Sequence, residues 1–295
     1  MQKIEKRRIA VILTCYNRKT KTVSCIKRLA EIGQSSSWHI EIFLTDDGST
    51  DGTVEGLLSL NLDISMHILK GDGNLFWARG MNLAWSNALK VASFDGYLWL
   101  NDDTILYDTI FDEIEFTDYY SLHNYKKRGV YVGSTRSTDT ETFTYGGHFY
   151  KNRLLNTLGD IIPNKDIQNC EIANGNIAYV SKDVVDVLGI FHNGYIHGAD
   201  YDYTYLAYKK NFPVLVMRGY LGECNNDHQS EGYVKFKSLS FKERINYLYS
   251  PKGLQFGGAL LFQRRFFPYR YPLVLCAGWF KLFFPKLYCF LNKLR

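Results

Sequence analysis

Two adjacent aspartates, Asp102 and Asp103, interrupt the aromatic and aliphatic run YLWLNDDTIL over residues 97–106. A buried strand that delivers a carboxylate pair to its C-terminal end is a poor core but a good holder for a hard divalent cation. Mg²⁺ and Mn²⁺ favour carboxylate oxygens together with phosphate oxygens from a substrate. The competing reading is a strand that closes in a solvated Asp-Asp turn. Two more polar clusters follow short apolar runs upstream, Thr14–Arg18 (TCYNR) and Thr45–Asp51 (TDDGSTD). The second also reads as a turn and helix cap, because Ser49, Thr50 and Asp51 are good capping residues, and the two readings are compatible.

These clusters need a scaffold that brings them together. Ile9–Leu13 is an all-apolar run too short for a helix and suited to a buried parallel strand. Thr20–Ile32 has helical spacing, Ile40–Leu44 is a second strand, and Val54–Leu60 a second helix. Ile64–Leu69 is a third strand, Met81–Val91 a helix with apolar residues every three or four positions, and Tyr97–Leu100 a fourth strand. Such alternation with short loops predicts an open, mainly parallel α/β sheet flanked by helices, which binds ligands beyond the C-terminal strand ends. All three polar clusters fall there. Further on, Val130–Ser134, Phe143–Tyr150 and the run IAYV read as strands, and Lys182–Leu188 and Asp202–Lys210 as helices. One domain over residues 1–240 and a tail over 241–295 are expected.

The chain's 295 residues are 46% hydrophobic and 22% charged, enough core and too little charge for a disordered chain. Its six cysteines show neither a CxxC pair nor zinc-ligand spacing with histidine, which fits a reduced, cytosolic setting. The N-terminus has no signal-peptide core, and no stretch reaches transmembrane length. Net charge is +5 but uneven: from Arg244 onward there are nine Lys/Arg and no Asp/Glu, so the preceding residues sum to −4. An anionic partner for the tail is implied, not one for the main domain.

The ordered set AVILTCYNR, TDDGSTDGT, GNLFWARGMN, WLNDDTIL and YIHGADYDYTYLAYKKNF resembles the inverting family 2 glycosyltransferases of GT-A fold, over roughly residues 7–230. GDGNLFWARGMN with LWLNDD looks most like bacterial rhamnosyltransferase-type enzymes of surface polysaccharide synthesis.

Carried over by position, the resemblance implies a nucleotide-sugar donor, UDP- or dTDP-linked by preference, whose base is lined by Thr14 and Tyr16, with Asn17 also in the donor site. Tyr16 would offer a ring face, with an ordinary loop aromatic as the alternative. Asp47 would accept from a pyrimidine N–H and Asp46 would orient the loop. Arg79 would face the diphosphate or base, the alternative being a solvated arginine at a helix start. Gly71 and Gly73 would admit the donor to the backbone. Asp103 would bind Mn²⁺ or Mg²⁺, with Asp102 on the ribose or the ion's water shell, and His228 is a candidate third ligand. Relatives commonly carry a glutamate before the base. Here Ala199 stands in its place, and Asp200 matches the catalytic base, with His197 as a lesser alternative. Asp202 would orient the following helix, and Asn174, Gly175 and Asn176 resemble an acceptor-side segment.

From Phe256 the tail alternates Lys and Arg with Phe, Tyr and Trp, and Pro268, Pro272 and Pro285 interrupt it. Short basic amphipathic segments of this kind lie in a membrane interface. Packing on the domain or on a second subunit, as in a homodimer, is the alternative, and nucleic-acid binding is disfavoured by the aliphatic content. The implied enzyme is a metal-dependent inverting transferase acting on a lipid-linked glycan at the cytoplasmic membrane face. The competing class is a catalytically inactive sugar-nucleotide-binding relative. A nucleotidyltransferase would need a glycine-rich, lysine-bearing N-terminal loop that the chain lacks.

Overall fold

The computed structural model describes residues 6–226 and 236–293. It divides into two compact units, Met1–Asn193 with Ala199–Asn225, and Gly194–Gly198 with Asn226–Arg295.

The first unit opens with the expected alternation: β1 (Arg8–Cys15), α1 (Lys19–Ser35), β2 (His39–Asp46), α2 (Thr53–Leu58), β3 (Ser65–Lys70), α3 (Phe76–Val91) and β4 (Gly96–Leu100). β5 (Ile105–Leu106), α4 (Ile110–Tyr125), β6 (Val130–Arg136), β7 (Phe143–Tyr145), β8 (Gly147–Asn152) and β9 (Thr157–Asp160) follow. Then come β10 (Gln168–Asn169), β11 (Ile172–Ala173), β12 (Ile177–Ser181), α5 (Lys182–Leu188), α6 (Ala199–Lys209) and β13 (Val214–Glu223). The main sheet has the order β10-β13-β6-β12-β4-β1-β2-β3, with β5 on β13 and β7 on β6. The pairs β1–β2, β1–β4, β2–β3 and β6–β13 are parallel, whereas β12 runs antiparallel to β4 and β6. β1, β2 and β4 are buried on both faces, which is why they read as unbroken apolar runs rather than alternating ones.

Three predicted elements differ in the structure, and helix α4 and strand β13 had no predicted counterpart. The predicted strand Phe143–Tyr150 is two strands: β7 joins the main sheet, and β8 joins a second sheet of order β11-β8-β9. Only Gly146 separates them. Helix α3 begins at Phe76, five residues before the apolar periodicity, and α6 at Ala199, ahead of Asp202. The α3 start is hidden because its N-terminal amides are met by a side chain from far upstream and not by a local cap.

Much of the aromatic content is core. Trp85, Trp99, Phe191 and Tyr203 form one cluster, with Trp99 4.5 Å from Phe191 and 5.3 Å from Tyr203 by ring centroids. The Tyr203 hydroxyl donates to the Gly189 carbonyl at 2.8 Å. This cluster fixes α6 against β4 and α3, so the residues at the start of α6 hold a set position relative to the end of β4.

In the second unit, helices span Phe241–Tyr249, Phe256–Phe266, Tyr271–Phe283 and Pro285–Lys293, with a 3₁₀ turn at Pro268–Arg270. Ser240 and Glu243 form a capping box at the first. The prolines sit at helix starts, where a missing N–H costs nothing. Phe236, Leu248, Phe256 and Leu282 make a small core. No helix among the described residues is long and apolar enough to cross a membrane.

Candidate active site

The loops after β1, β2 and β4 converge at the C-terminal edge of the sheet. After β1, Asn17 adopts φ 50°, its backbone N–H donates to Ser49 Oγ of the neighbouring loop (2.8 Å), and its Oδ1 accepts from Thr50 N–H (2.7 Å). Its polar groups therefore clamp one loop to the next. Thr14 donates to the Thr45 carbonyl at 3.2 Å, and the Tyr16 ring is 52% exposed, open to a stacking partner.

After β2, the two acids divide their work. Asp46 accepts from Ser49 N–H at 3.1 Å. Asp47 is 5% exposed and takes three backbone donors: Gly73 N–H on Oδ1 at 2.9 Å, and Leu75 and Phe76 N–H on Oδ2 at 3.0 Å each. It caps α3 from 29 residues upstream, in the role a local Ser, Thr or Asp usually fills. A side chain at Gly71 would meet the Asp47 carboxylate at 2.5 Å, so only glycine fits there. Phe76 holds φ 55°, a region side-chain-bearing residues rarely adopt, and the bond to Asp47 helps keep it there. One turn on, Arg79 is exposed and makes no hydrogen bond or ion pair with any described residue.

After β4, Asn101 Oδ1 accepts from the Trp77 indole N–H at 2.9 Å. Asp102 is 6% exposed and accepts from the Thr22 hydroxyl at 3.0 Å. Burial pushes its carboxyl up to about 6, with Arg18 opposing and Asp103 reinforcing the shift. Arg18 Nη1 lies 3.3 Å from Asp102 Oδ1 and 2.8 Å from Asp103 Oδ2, and Lys21 lies 3.9 Å from Asp103. The Cys224 thiol, at the end of β13, donates to Asp103 Oδ1 at 3.5 Å.

Asp200 stands in the first turn of α6. Its Oδ2 accepts from Gly175 N–H at 2.8 Å and its Oδ1 from its neighbour Tyr201 N–H at 3.0 Å. Burial pushes the Asp200 carboxyl up to about 6, against the pull of those two N–H groups. That range suits a group that takes up a proton near neutrality. The Asn174 side chain is spent inside the protein: His148 Nε2 lies 2.8 Å from its Oδ1, and its Nδ2 donates to the Tyr201 hydroxyl at 3.2 Å. His148 Nδ1 is in turn 2.9 Å from Asp160. Asn176 is buried, with its carbonyl accepting from Asn101 N–H at 3.1 Å. His197 belongs to the segment grouped with the second unit, and His228 lies outside the described residues.

Among the described residues no three His, Cys, Asp or Glu side chains come close enough to hold a metal by themselves. The donor set nonetheless fits a hard divalent cation that takes its remaining oxygens from a diphosphate, since two adjacent carboxylates end β4. Sequence reasoning passed over Arg18 and Trp77, although both lie inside the motifs quoted, and had no signal for His148 and Asp160.

The architecture agrees with the comparisons. The family model "Glycosyl transferase family 2" matches residues 10–187. Among solved structures, Staphylococcus aureus TarS 1-349 aligns with TM-score 0.53 at 14% identity, covering 83% of this chain and 66% of that one. The same protein in complex with UDP aligns with TM-score 0.53 at 16% identity, over 82% and 72%. The mannosyltransferase PcManGT from Pyrobaculum calidifontis, in complex with GDP-Man and Mn²⁺, gives 0.52 at 15%, over 96% and 89%. A search of curated protein sequences returns no significant match. The chain spans just under two thirds of the TarS 1-349 structure's length, and at these identities the solved structures speak for the fold alone. With the family model covering more than half of the chain, the protein belongs to glycosyl transferase family 2 and has the GT-A fold.

Proposed function

We propose that the protein moves a hexosyl group, with inversion, from a nucleoside-diphosphate donor to a hydroxyl of a lipid-linked glycan during surface polysaccharide synthesis. The observation that carries this reading is the placing of Asp200. It is a carboxylate with a raised proton affinity, gripped by Gly175 N–H and Tyr201 N–H and anchored by the aromatic cluster under α6.

In the reaction, Asp200 accepts the proton of the acceptor hydroxyl as its oxygen attacks the anomeric carbon from the face opposite the diphosphate. The bond from that carbon to the diphosphate oxygen breaks, and the configuration inverts. Arg79, without a hydrogen-bond or ion-pair partner among the described residues, lies in the first turn of α3 and would meet the departing diphosphate. Tyr16 and Thr14 line the base, and Asp46 and Asp47 shape the loops around it. A divalent cation at Asp103, with Asp102 beside it, would neutralise charge developing on the diphosphate. The UDP and GDP-Man bound by the neighbouring structures support a nucleotide-sugar donor here; UDP- or dTDP-sugars are the first choice. The basic aromatic helices of the second unit would hold the enzyme peripherally on the inner face of the cell membrane, close to a lipid-linked acceptor.

Melting the purified protein with Mn²⁺ against UDP, dTDP, GDP, CMP and ADP, and measuring nucleoside-diphosphate release from the matching sugars, tests this. A shift with one nucleotide, roughly 2.7 kcal/mol at a hundredfold excess over its dissociation constant, identifies the donor class. Nucleotide binding without turnover favours an inactive relative. No shift with any nucleotide ends the transferase reading.

A further inference from the structure

We propose that Trp77 is a positioning residue, an indole wedge that sets the distance between Asp200 and the carboxylate pair at the end of β4. This rests on the reading of Asp200 as the base.

Trp77 is in the first turn of α3, directly after the loop that Asp47 ties down. Its N–H reaches the side chain of Asn101, the residue before Asp102 and Asp103, at 2.9 Å. The outer edge of its ring, Cζ2 and Cη2, lies 3.0 Å from the position a Cβ on Gly175 would occupy. The Asp200 Cβ lies 3.2 Å from that same position. Gly175 is therefore pinched between the indole and the base, and it donates its N–H to Asp200 Oδ2 from there. Behind the indole, Phe191 packs at 5.4 Å between ring centroids and ties it to the aromatic cluster.

One rigid side chain thus touches all three parts of the site. Its backbone lies in the helix turn that follows the donor loop, its N–H holds the strand end with the acids, and its ring edge backs the loop that grips the base. Asn101 and Gly175 are also joined through the chain, because Asn101 N–H donates to the carbonyl of Asn176 at 3.1 Å. A wide planar side chain suits this role because it has few rotamers and resists compression. Transfer needs the attacking oxygen, the base and the departing diphosphate in register, and a misplacement of about 1 Å costs about a hundredfold in rate. Gly175 is the counterpart: any side chain there must push either the indole or Asp200.

The test is a pair of double-mutant cycles. Trp77→Phe keeps an aromatic ring but lacks the N–H and the outer edge that meets Gly175. It should lower kcat about tenfold while donor KM and nucleotide affinity stay within about twofold. Gly175→Ala should lower kcat about a hundredfold, because its Cβ displaces Asp200 or the indole. In the double variant the shortened ring vacates the space the Cβ needs, so kcat should return to about the level of Trp77→Phe alone. In a second cycle, Asn101→Ala and Trp77→Phe remove the same hydrogen bond, so their combination should lose no more than the worse single variant.

Rates are read as nucleoside-diphosphate release with UDP-glucose, dTDP-rhamnose and GDP-mannose, and affinity by calorimetry with UDP, dTDP or GDP in the presence of Mn²⁺. Losses that simply multiply in both cycles overturn the proposal, as does a fall in nucleotide affinity that accounts for the fall in rate. Melting temperatures of the same variants read the contact independently of turnover. If the wild type turns over no donor, the transferase reading fails, and additive stability losses would overturn the wedge as well. Non-additive losses would leave the wedge standing as a structural joint.

Discussion

The guanidinium of Arg18 bridges the two carboxylates at the end of β4, 2.8 Å from Asp103 and 3.3 Å from Asp102. Its positive charge sits on the oxygens that a divalent cation would use. A cation arriving there must displace Arg18 or share the acids with it, and at about 4 Å each charge pair is worth about 4 kcal/mol at the effective dielectric of a protein surface. Arg18→Gln is therefore expected to bind Mn²⁺ more tightly in the absence of nucleotide, by about tenfold or more. Titration of free Mn²⁺ by electron paramagnetic resonance reads this without turnover. Unchanged affinity would mean that Arg18 and the ion do not compete.

Asp47 is expected to be a builder of the donor loop. Its carboxylate accepts from Gly73, Leu75 and Phe76 N–H groups, and an asparagine offers only one acceptor oxygen. Asp47→Asn turns an amide NH₂ toward at least one buried donor, at a cost of about 1–3 kcal/mol. The melting temperature should fall, and the affinity for the preferred nucleotide should fall with it as the α3 start loosens. A variant that melts normally but binds nucleotide poorly would instead point to direct contact between Asp47 and the base.

The parallel half of the fold was readable because its strands β1, β2 and β4 are buried on both faces and its loops carry turn residues. IAVIL, IEIFL and YLWL stand out as apolar runs, and the polar clusters after them mark the ligand edge. What the sequence hides is set by distant partners. The start of α3 depends on Asp47, the break at Gly146 on a second sheet, and the grip on Asp200 on Gly175 N–H. Asn174 and Asn176 looked available for an acceptor, yet the Asn174 side chain bonds His148 and Tyr201, and Asn176 is buried. Local pattern reports which face is apolar, and it does not report which amide a side chain will meet across tens of residues.

Turnover should lose its acid limb near pH 6. Burial raises the Asp200 carboxyl to about 6, and only the ionised form accepts the acceptor's proton. kcat/KM should fall tenfold per pH unit below that value and level off above it. The same shift has a stability signature of opposite sign. Folded Asp200 holds its proton more tightly than unfolded aspartate, so its contribution is most favourable below about pH 4 and is lost as pH rises to about 6. The melting temperature of Asp200→Asn relative to wild type should therefore climb across that window, by the equivalent of up to roughly 3 kcal/mol, and stay constant above it. A flat difference between pH 4 and 8 would remove the raised affinity and weaken the case for Asp200 as base.

The second unit exposes large apolar side chains among cations. Leu273, Trp279, Phe283, Phe284, Leu287 and Phe290 are all about half exposed or more, and Lys281 and Lys286 lie among them, in a stretch without a single acid. Aromatic rings that settle at the acyl boundary, with lysines on anionic headgroups, account for both halves of that composition. The full-length protein should co-sediment with vesicles containing phosphatidylglycerol and only weakly with pure phosphatidylcholine, and rising salt should release it. Each basic residue near an anionic surface contributes about 1 kcal/mol, so reversing Lys281 and Lys286 to glutamate should weaken partitioning by about thirtyfold or more. Trp279→Ala should weaken binding to both vesicle types, because it removes apolar area and not charge. Wild-type protein that ignores both kinds of vesicle would rule out the membrane assignment and leave a protein partner, such as a second copy of the chain, as the occupant of these helices.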